Sequence, residues 1–264
     1  SGSGPSLVLV LWSADGRVAR RRGGIWQTTR MPTRKEYCRG AVDSHGRFAC
    51  AGPDGALDVW EDDRWLSYPA PEPGLRITGL TPGPAGSLLL VNEGGAVLQF
   101  SPPGRFTRYR FPGVSREAAR ERWGGGYYSA LQDKLYVGCG RDLLLRLDLA
   151  TGEVVEQRLH FGDQDRELPA TPQSIRGGGR KREVLFLRGA KDVFVIDSAQ
   201  RSGAPSIKGG KLYLQPPATR EHDRYLNDAY LDGDRGALYL AASAGVFQVK
   251  AEAPVFGQRD AQPT

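Results

Sequence analysis

The sequence predicts an all-β fold, a six-bladed β-propeller built from four-stranded antiparallel blades. Three observations carry this. Six segments align without a gap: LVLWSADG from Leu9, FACAGPDG from Phe48, LLLVNEGG from Leu88, LYVGCGRD from Leu135, LFLRGAKD from Leu185 and LYLAASAG from Leu238. Their last residues fall at 16, 55, 95, 142, 192 and 245, so the intervals are 39, 40, 47, 50 and 53 residues, the spacing of propeller blades. The chain also carries 35 Gly and 18 Pro, which suits many tight turns, and its 264 residues lie within the range of one all-β domain.

Each repeat reads as four strands, a to d, from the centre outward. The aligned apolar run is strand b. It ends at Asp-Gly, Gly-Gly or a similar pair, the chemistry of a hairpin turn with positive φ. Strand c follows: RVAR, ALDV, AVLQ, LLLR, VFVI and VFQV. Strand d is GIWQTT, DRWLSY, GRFTRY and GEVVEQ in the first four copies, and GKLYLQ, residues 210–215, in the fifth. Its aromatics Trp26, Trp65 and Phe106 are expected to be structural, packed between neighbouring sheets. The innermost strands are CRGAVD, ITGLTP, YYSALQ, QSIRGG and LNDAYL, whose small residues suit a crowded centre.

These strands place the blades at about 6–30, 37–69, 76–111, 126–160, 172–215 and 226–258 of a single domain, 6–258. Residues 1–5, SGSGP, read as a linker or tag remnant, and 259–264 as a tail. The first blade has no innermost strand. After the last strand c the chain can supply one more strand, near Pro254 to Gln258, which leaves the closure of the ring one strand short.

The stretch DGALDVWEDDRWLSYPAP, Asp54 to Pro71, resembles the propeller repeat of bacterial two-component regulators. LYVGCGRDLLLRLDLATGEVVEQ, Leu135 to Gln157, resembles a quinoprotein or YVTN-type blade, with Asp148, Thr151 and Gly152 at its D-x-x-T-G turn. The mixture is similar to the propeller components that accompany MoxR ATPases and von Willebrand A proteins in bacteria. The resemblance implies a bacterial propeller that works inside a larger assembly or multidomain protein.

Charge and chemistry narrow the function. The net charge is +6, modest for this length, so nucleic acid is not the expected partner. The densest basic cluster, Arg20-Arg21-Arg22, falls at an expected strand-to-strand turn and reads as a solvated turn. No apolar run reaches the ~18 residues of a membrane span, and the opening SGSGPSLVLVLW does not read as a secretory signal. Cys38, Cys50 and Cys139 are an odd number at irregular spacing, which predicts reduced thiols and a cytoplasmic protein.

His45, His160 and His222 are scattered, and no HExxH, GxSxG or GxxxxGK[ST] motif occurs. RWGGGYY, Arg122 to Tyr128, precedes a strand rather than a helix, so it reads as a flexible lead-in, not a phosphate loop. Asn227-Asp228 opens an innermost strand, and six-bladed lactonases of the gluconolactonase and regucalcin type place an Asn-Asp there on a metal. Asn227 and Asp228 are the metal candidates on that resemblance. The matching positions Cys38-Arg39, Ile77-Thr78, Tyr127-Tyr128 and Gln173-Ser174 add no second carboxylate. A hard cation needs about six to eight oxygens, so the expectation is no metal, no cofactor and no catalytic residue.

The d-to-a connections are long, rich in Arg, Asp, Glu and Pro, and expected on the same face as the b–c turns. Rigid scaffolds display function on such loops. SREAARER, Ser115 to Arg122, has an N-cap serine and is expected to form a helical turn. Arg34, Lys35, Arg116, Arg120, Arg122, Asp163, Asp165, Arg220 and Arg224 are the candidate partner-binding residues. The function expected is therefore a non-enzymatic protein-interaction scaffold whose partner is another protein or a fused domain. The alternatives are a small-ligand sensor or lactonase-like enzyme using the central channel, and a nucleic-acid binder.

Overall fold

The computed structural model describes residues 9–12, 15–22, 25–32, 39–52, 54–140 and 143–158, together with the strand backbones 174–178, 184–188, 193–197, 206–209, 226–232, 237–242 and 245–250. These residues form six antiparallel sheets, each from consecutive strands. The first is β1 (Leu9–Trp12), β2 (Arg17–Arg22) and β3 (Ile25–Arg30). The second is β4 (Arg39–Val42), β5 (Phe48–Ala51), β6 (Leu57–Glu61) and β7 (Arg64–Tyr68). The third is β8 (Ile77–Pro82), β9 (Leu88–Asn92), β10 (Val97–Ser101) and β11 (Arg105–Tyr109).

The fourth sheet is β12 (Trp123–Ser129), β13 (Lys134–Cys139), β14 (Leu143–Asp148) and β15 (Val154–Arg158). The fifth is β16 (Ser174–Gly178), β17 (Val184–Arg188), β18 (Val193–Asp197) and β19 (Ser206–Gly209). The last is β20 (Leu226–Asp232), β21 (Ala237–Ala242) and β22 (Gly245–Lys250). The strands β4, β8, β12, β16 and β20 touch one another in chain order, so they form the hub.

Turn chemistry explains why the chain folds back where it does. Gly16, Gly55 and Gly95, at the b–c turns, have φ of +83°, +84° and +86°. The two-residue c–d hairpin Asp62-Asp63 has both residues at positive φ, 46° and 60°, a conformation that matches strand twist. At the Asp148 turn the carboxylate Oδ1 accepts the N–H groups of Ala150 (2.8 Å) and Thr151 (2.9 Å), and Gly152 supplies φ +76°. The D-x-x-T-G pattern is thus a self-capped turn.

The core lies between sheets. Leu57, Val59, Leu80, Leu90, Leu98 and Phe100 fill the space between the second and third. Leu89, Val91, Trp123, Leu135, Val137 and Leu145 fill that between the third and fourth. Val18, Met31, Phe48 and Trp60 join the first to the second. Trp65 belongs to this last contact: its indole N–H donates to Thr29 Oγ1 at 3.2 Å, and its ring stacks on Trp60. Phe106 packs on Phe100 at the second interface. Trp26 differs, being 47% exposed on the outer strand of the first sheet beneath the Arg21 guanidinium.

Several expectations need correction. Arg20 to Arg22 are not a solvated turn but the end of β2. Arg20 is 5% exposed, lies over the Trp60 ring at 4.2 Å and pairs with Asp63 at 2.9 Å. Trp123 to Tyr128 are not a flexible lead-in but a bulged hub strand, and Gly124, Gly125 and Gly126 are buried. A Cβ on Gly79 of β8 would meet Gly126 N at 2.7 Å, so the glycines let two hub backbones touch. The outer strand of the fifth sheet is Ser206–Gly209, earlier than 210–215, which lie outside the described residues. Finally, Cys50 is disulfide-bonded, against the expectation of reduced thiols; among the described residues Cys139 is free.

Candidate functional site

The b–c turns and the d-to-a connections meet on one face. Met31 N–H bonds Gly16 O, Glu93 N–H bonds Arg76 O, Trp123 N–H bonds Glu93 O, and Gly140 N–H bonds Arg122 O. Each bond ties a b–c turn to a connection that leaves or enters a sheet. The described part of this face is dominated by residues 110–122, the connection between the third and fourth sheets.

This connection is built from the inside out. Ser115 caps one helical turn: its Oγ accepts Ala118 N–H at 3.1 Å, and Ala119 N–H bonds Ser115 O at 2.9 Å. Ser115 N–H in turn donates to Glu156 of β15 at 2.7 Å. Ala118 is fully buried, and its carbonyl accepts the Trp123 indole N–H at 3.1 Å and the Cys139 thiol at 3.4 Å. With Ala118 turned inward, Arg116 and Arg120 are left exposed.

Arg122 is also exposed, beside the start of hub strand β12. It shares Glu93 with Arg76, the residue before hub strand β8; the ion pairs are 3.6 Å and 3.1 Å. Glu117 pairs with Arg158, and Glu72 pairs with Arg108 at 2.7 Å. The structure therefore links Arg122 through Glu93 to Arg76, which the sequence did not single out, while Arg116 and Arg120 stand exposed on the same connection as Arg122. The signal for Arg76 was its place one residue before a hub strand, the same place as Arg122. Arg34, Lys35, Asp163, Asp165, Arg220 and Arg224 lie outside the described residues.

Asn227 and Asp228 lie in β20, where the register slips between Leu226 and Asp228, so Asn227 occupies a bulge; their side chains are outside the described residues. Among the described residues no three His, Cys, Asp or Glu side chains are placed to hold a metal ion. No helix among them is long and apolar enough to cross a membrane. His160 and His222 are outside the described residues, and His45 is exposed in an a–b turn.

On the opposite face, a cleft of about 470 Å³ is lined by Ser44, His45, Pro84, Ala85, Tyr128 and Ala130. Its wall is fixed by a buried ion pair. Asp43 accepts the N–H groups of His45 and Arg47 and the Arg47 Nε at 2.5 Å, and Arg47 reaches across to Gly86 O at 2.8 Å. Ala85 is held at φ +51°, a strained conformation for a non-glycine residue. The Tyr128 hydroxyl donates to Asp133, and burial with that carboxylate raises its pKa well above the ordinary phenol value. No local pattern marks this cleft, because it joins the turns of three different repeats.

Sheets of consecutive strands, a hub of touching inner strands and cores between sheets define a β-propeller-like fold, and the comparisons agree. The chain is similar to virginiamycin B lyase from Staphylococcus aureus, with 14% identity, a TM-score of 0.59, and coverage of 91% of this chain and 79% of that one. It is similar to a Bacteroides thetaiotaomicron protein of unknown function, with 14% identity, a TM-score of 0.63, and coverage of 94% and 67%. It also resembles the extracellular domain of a hybrid two-component system from that organism, with 10% identity, a TM-score of 0.57, and coverage of 91% and 31%. No protein-family model and no curated protein matches the chain.

These neighbours overturn the expectation that the chain is not an enzyme. The lyases show that bacterial propeller-like proteins of this shape include enzymes, so scattered histidines do not exclude catalysis. At 14% identity the likeness establishes the fold and carries over no activity.

Proposed function

We propose that the chain is a binding propeller, with the six sheets as its blades, whose loop face docks an acidic protein surface within a larger bacterial assembly. The observation that carries this is the 110–122 connection, pinned from within by Ala118 and Trp123 while Arg116, Arg120 and Arg122 face solvent. A loop already ordered loses less conformational freedom on docking. Arginine is a favoured interfacial anchor, and its guanidinium pairs carboxylates with two parallel hydrogen bonds. The two-component neighbour offers a precedent for such a domain joined to signalling machinery.

The test is the variant Arg116→Ala/Arg120→Ala/Arg122→Ala in a pull-down from the native host, followed by affinity measurement on the partner recovered. It should melt with the parent and bind that partner about 10- to 100-fold more weakly. Unchanged affinity removes this face as the docking site.

A second reading, small-ligand sensing, is favoured by the rigid cleft at His45 and Tyr128. A ligand screen by thermal shift, repeated on His45→Ala, tests it. A ligand whose stabilisation survives that change does not use the cleft.

A further inference from the structure

The chain has three cysteines, Cys50 is disulfide-bonded and Cys139 is free. We infer that Cys38 is the partner of Cys50, and that the protein matures in an oxidising compartment rather than the cytoplasm. Cys50 is fully buried in β5, which excludes a bond to another molecule. Its register partner across the hub edge is Gly40. Of the three cysteines, Cys139 is free, which leaves Cys38 as the remaining thiol within the chain.

The compartment follows from redox chemistry. A bond between two protein thiols forms by loss of two protons and two electrons to an oxidant, which an export pathway supplies through its thiol oxidants. Cytosolic glutathione and thioredoxin run the same exchange in reverse. An odd cysteine in an exported protein is a hazard, because a free thiolate can attack the bridge and shuffle it.

Cys139 is disarmed. It is fully buried, its thiol donates to Ala118 O, and burial beside Glu121, Glu156 and Glu117 pushes its pKa up to about 12. A thiol kept protonated and covered is not a nucleophile. One bridge and one inert thiol account for the odd number without a second protein.

The test uses the full chain made twice in a bacterial host, exported to the periplasm and retained in the cytoplasm. Each preparation is quenched in acid, unfolded, alkylated with and without prior reduction, and weighed intact. The exported protein should take up one alkyl group before reduction and three after. Its unreduced digest should yield the Cys38 peptide joined to the Cys50 peptide.

The cytoplasmic protein should take up three groups without reduction. Cys38→Ser in the exported protein should lower the melting temperature by roughly 5–10 °C, the loss expected on opening a loop of about 13 residues. Three free thiols in the exported protein overturn the inference. A Cys50–Cys139 crosslink overturns the pairing. A bridge equally complete in the cytoplasmic protein overturns the compartment.

Discussion

Trp123 is the residue on which the proposed docking loop depends, and Trp123→Ala measures that dependence. The ring is 1% exposed, between the third and fourth sheets, and its edge lies beside Gly95. A buried aromatic removes about 150–250 Å² from water, worth roughly 4–6 kcal/mol at ~25 cal/mol per Å², an upper bound. Truncations of this kind cost about 3–5 kcal/mol. The change also deprives the buried Ala118 carbonyl of its indole donor. Trp123→Phe is the intermediate case, losing the N–H together with part of the indole ring, and should cost about 2–3 kcal/mol.

Urea unfolding followed by near-ultraviolet circular dichroism reads both losses. Hydrogen exchange at the amides of Ala118 and Ala119 reads the loop. Trp123→Ala should abolish protection there, whereas Arg116→Ala/Arg120→Ala should not. If Trp123→Ala costs less than about 1 kcal/mol, the loop is not anchored as described, and the docking proposal loses its physical basis.

Four further outcomes follow from the same contacts. The Asp148 carboxyl lies well below the ordinary carboxylate range because Lys134 donates to it at 2.5 Å and the Thr151 and Ala150 N–H groups point at it. A depressed folded pKa gives stability that is present above the unfolded value, near pH 4, and lost as pH falls further. Asp148→Asn should thus cost about 1–3 kcal/mol at pH 7, and the gap from the parent should shrink between pH 4 and pH 2 in acid unfolding. Asp43→Ala leaves Arg47 with Glu61 as its counter-ion and strips two backbone donors of their acceptor, so it should cost about 2–3 kcal/mol by urea unfolding. Gly79→Ala drives a methyl into the Gly125–Gly126 backbone and should cost at least ~2 kcal/mol, with a lowered melting temperature as readout. Trp65→Ala should destabilise by about 2–4 kcal/mol and the half-exposed Trp26→Ala by about 1 kcal/mol or less, compared by thermal melts.

The parts of the fold legible in the sequence are those written in local chemistry. Alternating apolar runs ending at Gly16, Gly55 and Gly95 name strands b and c, because only glycine turns there without strain. Asp148, Thr151 and Gly152 name their turn because a short acceptor side chain and a left-handed glycine close it unaided. What was not legible depends on partners far along the chain. Arg20 reads as one of three solvated arginines until register places it opposite Val10, over Trp60 and beside Asp63. The glycines of 124–126 read as a loop until Gly79 of another strand is pressed against them. Cys50 carries no motif, since its spacing from Cys38 matches neither a redox pair nor a metal knuckle.

The same division decides what can be said about function. Arg116, Arg120 and Arg122 look alike in sequence whether they are idle charges on a loose loop or anchors on a fixed one. The difference lies behind them, in an alanine with no exposed surface and a tryptophan whose N–H holds its carbonyl. A docking surface is worth more when its geometry precedes the partner, because ordering is then not charged against binding. The informative residues for this face are therefore the buried ones, and a search for similar loops in other propellers would do better to ask for the small inward residue and the hub tryptophan than for the arginines.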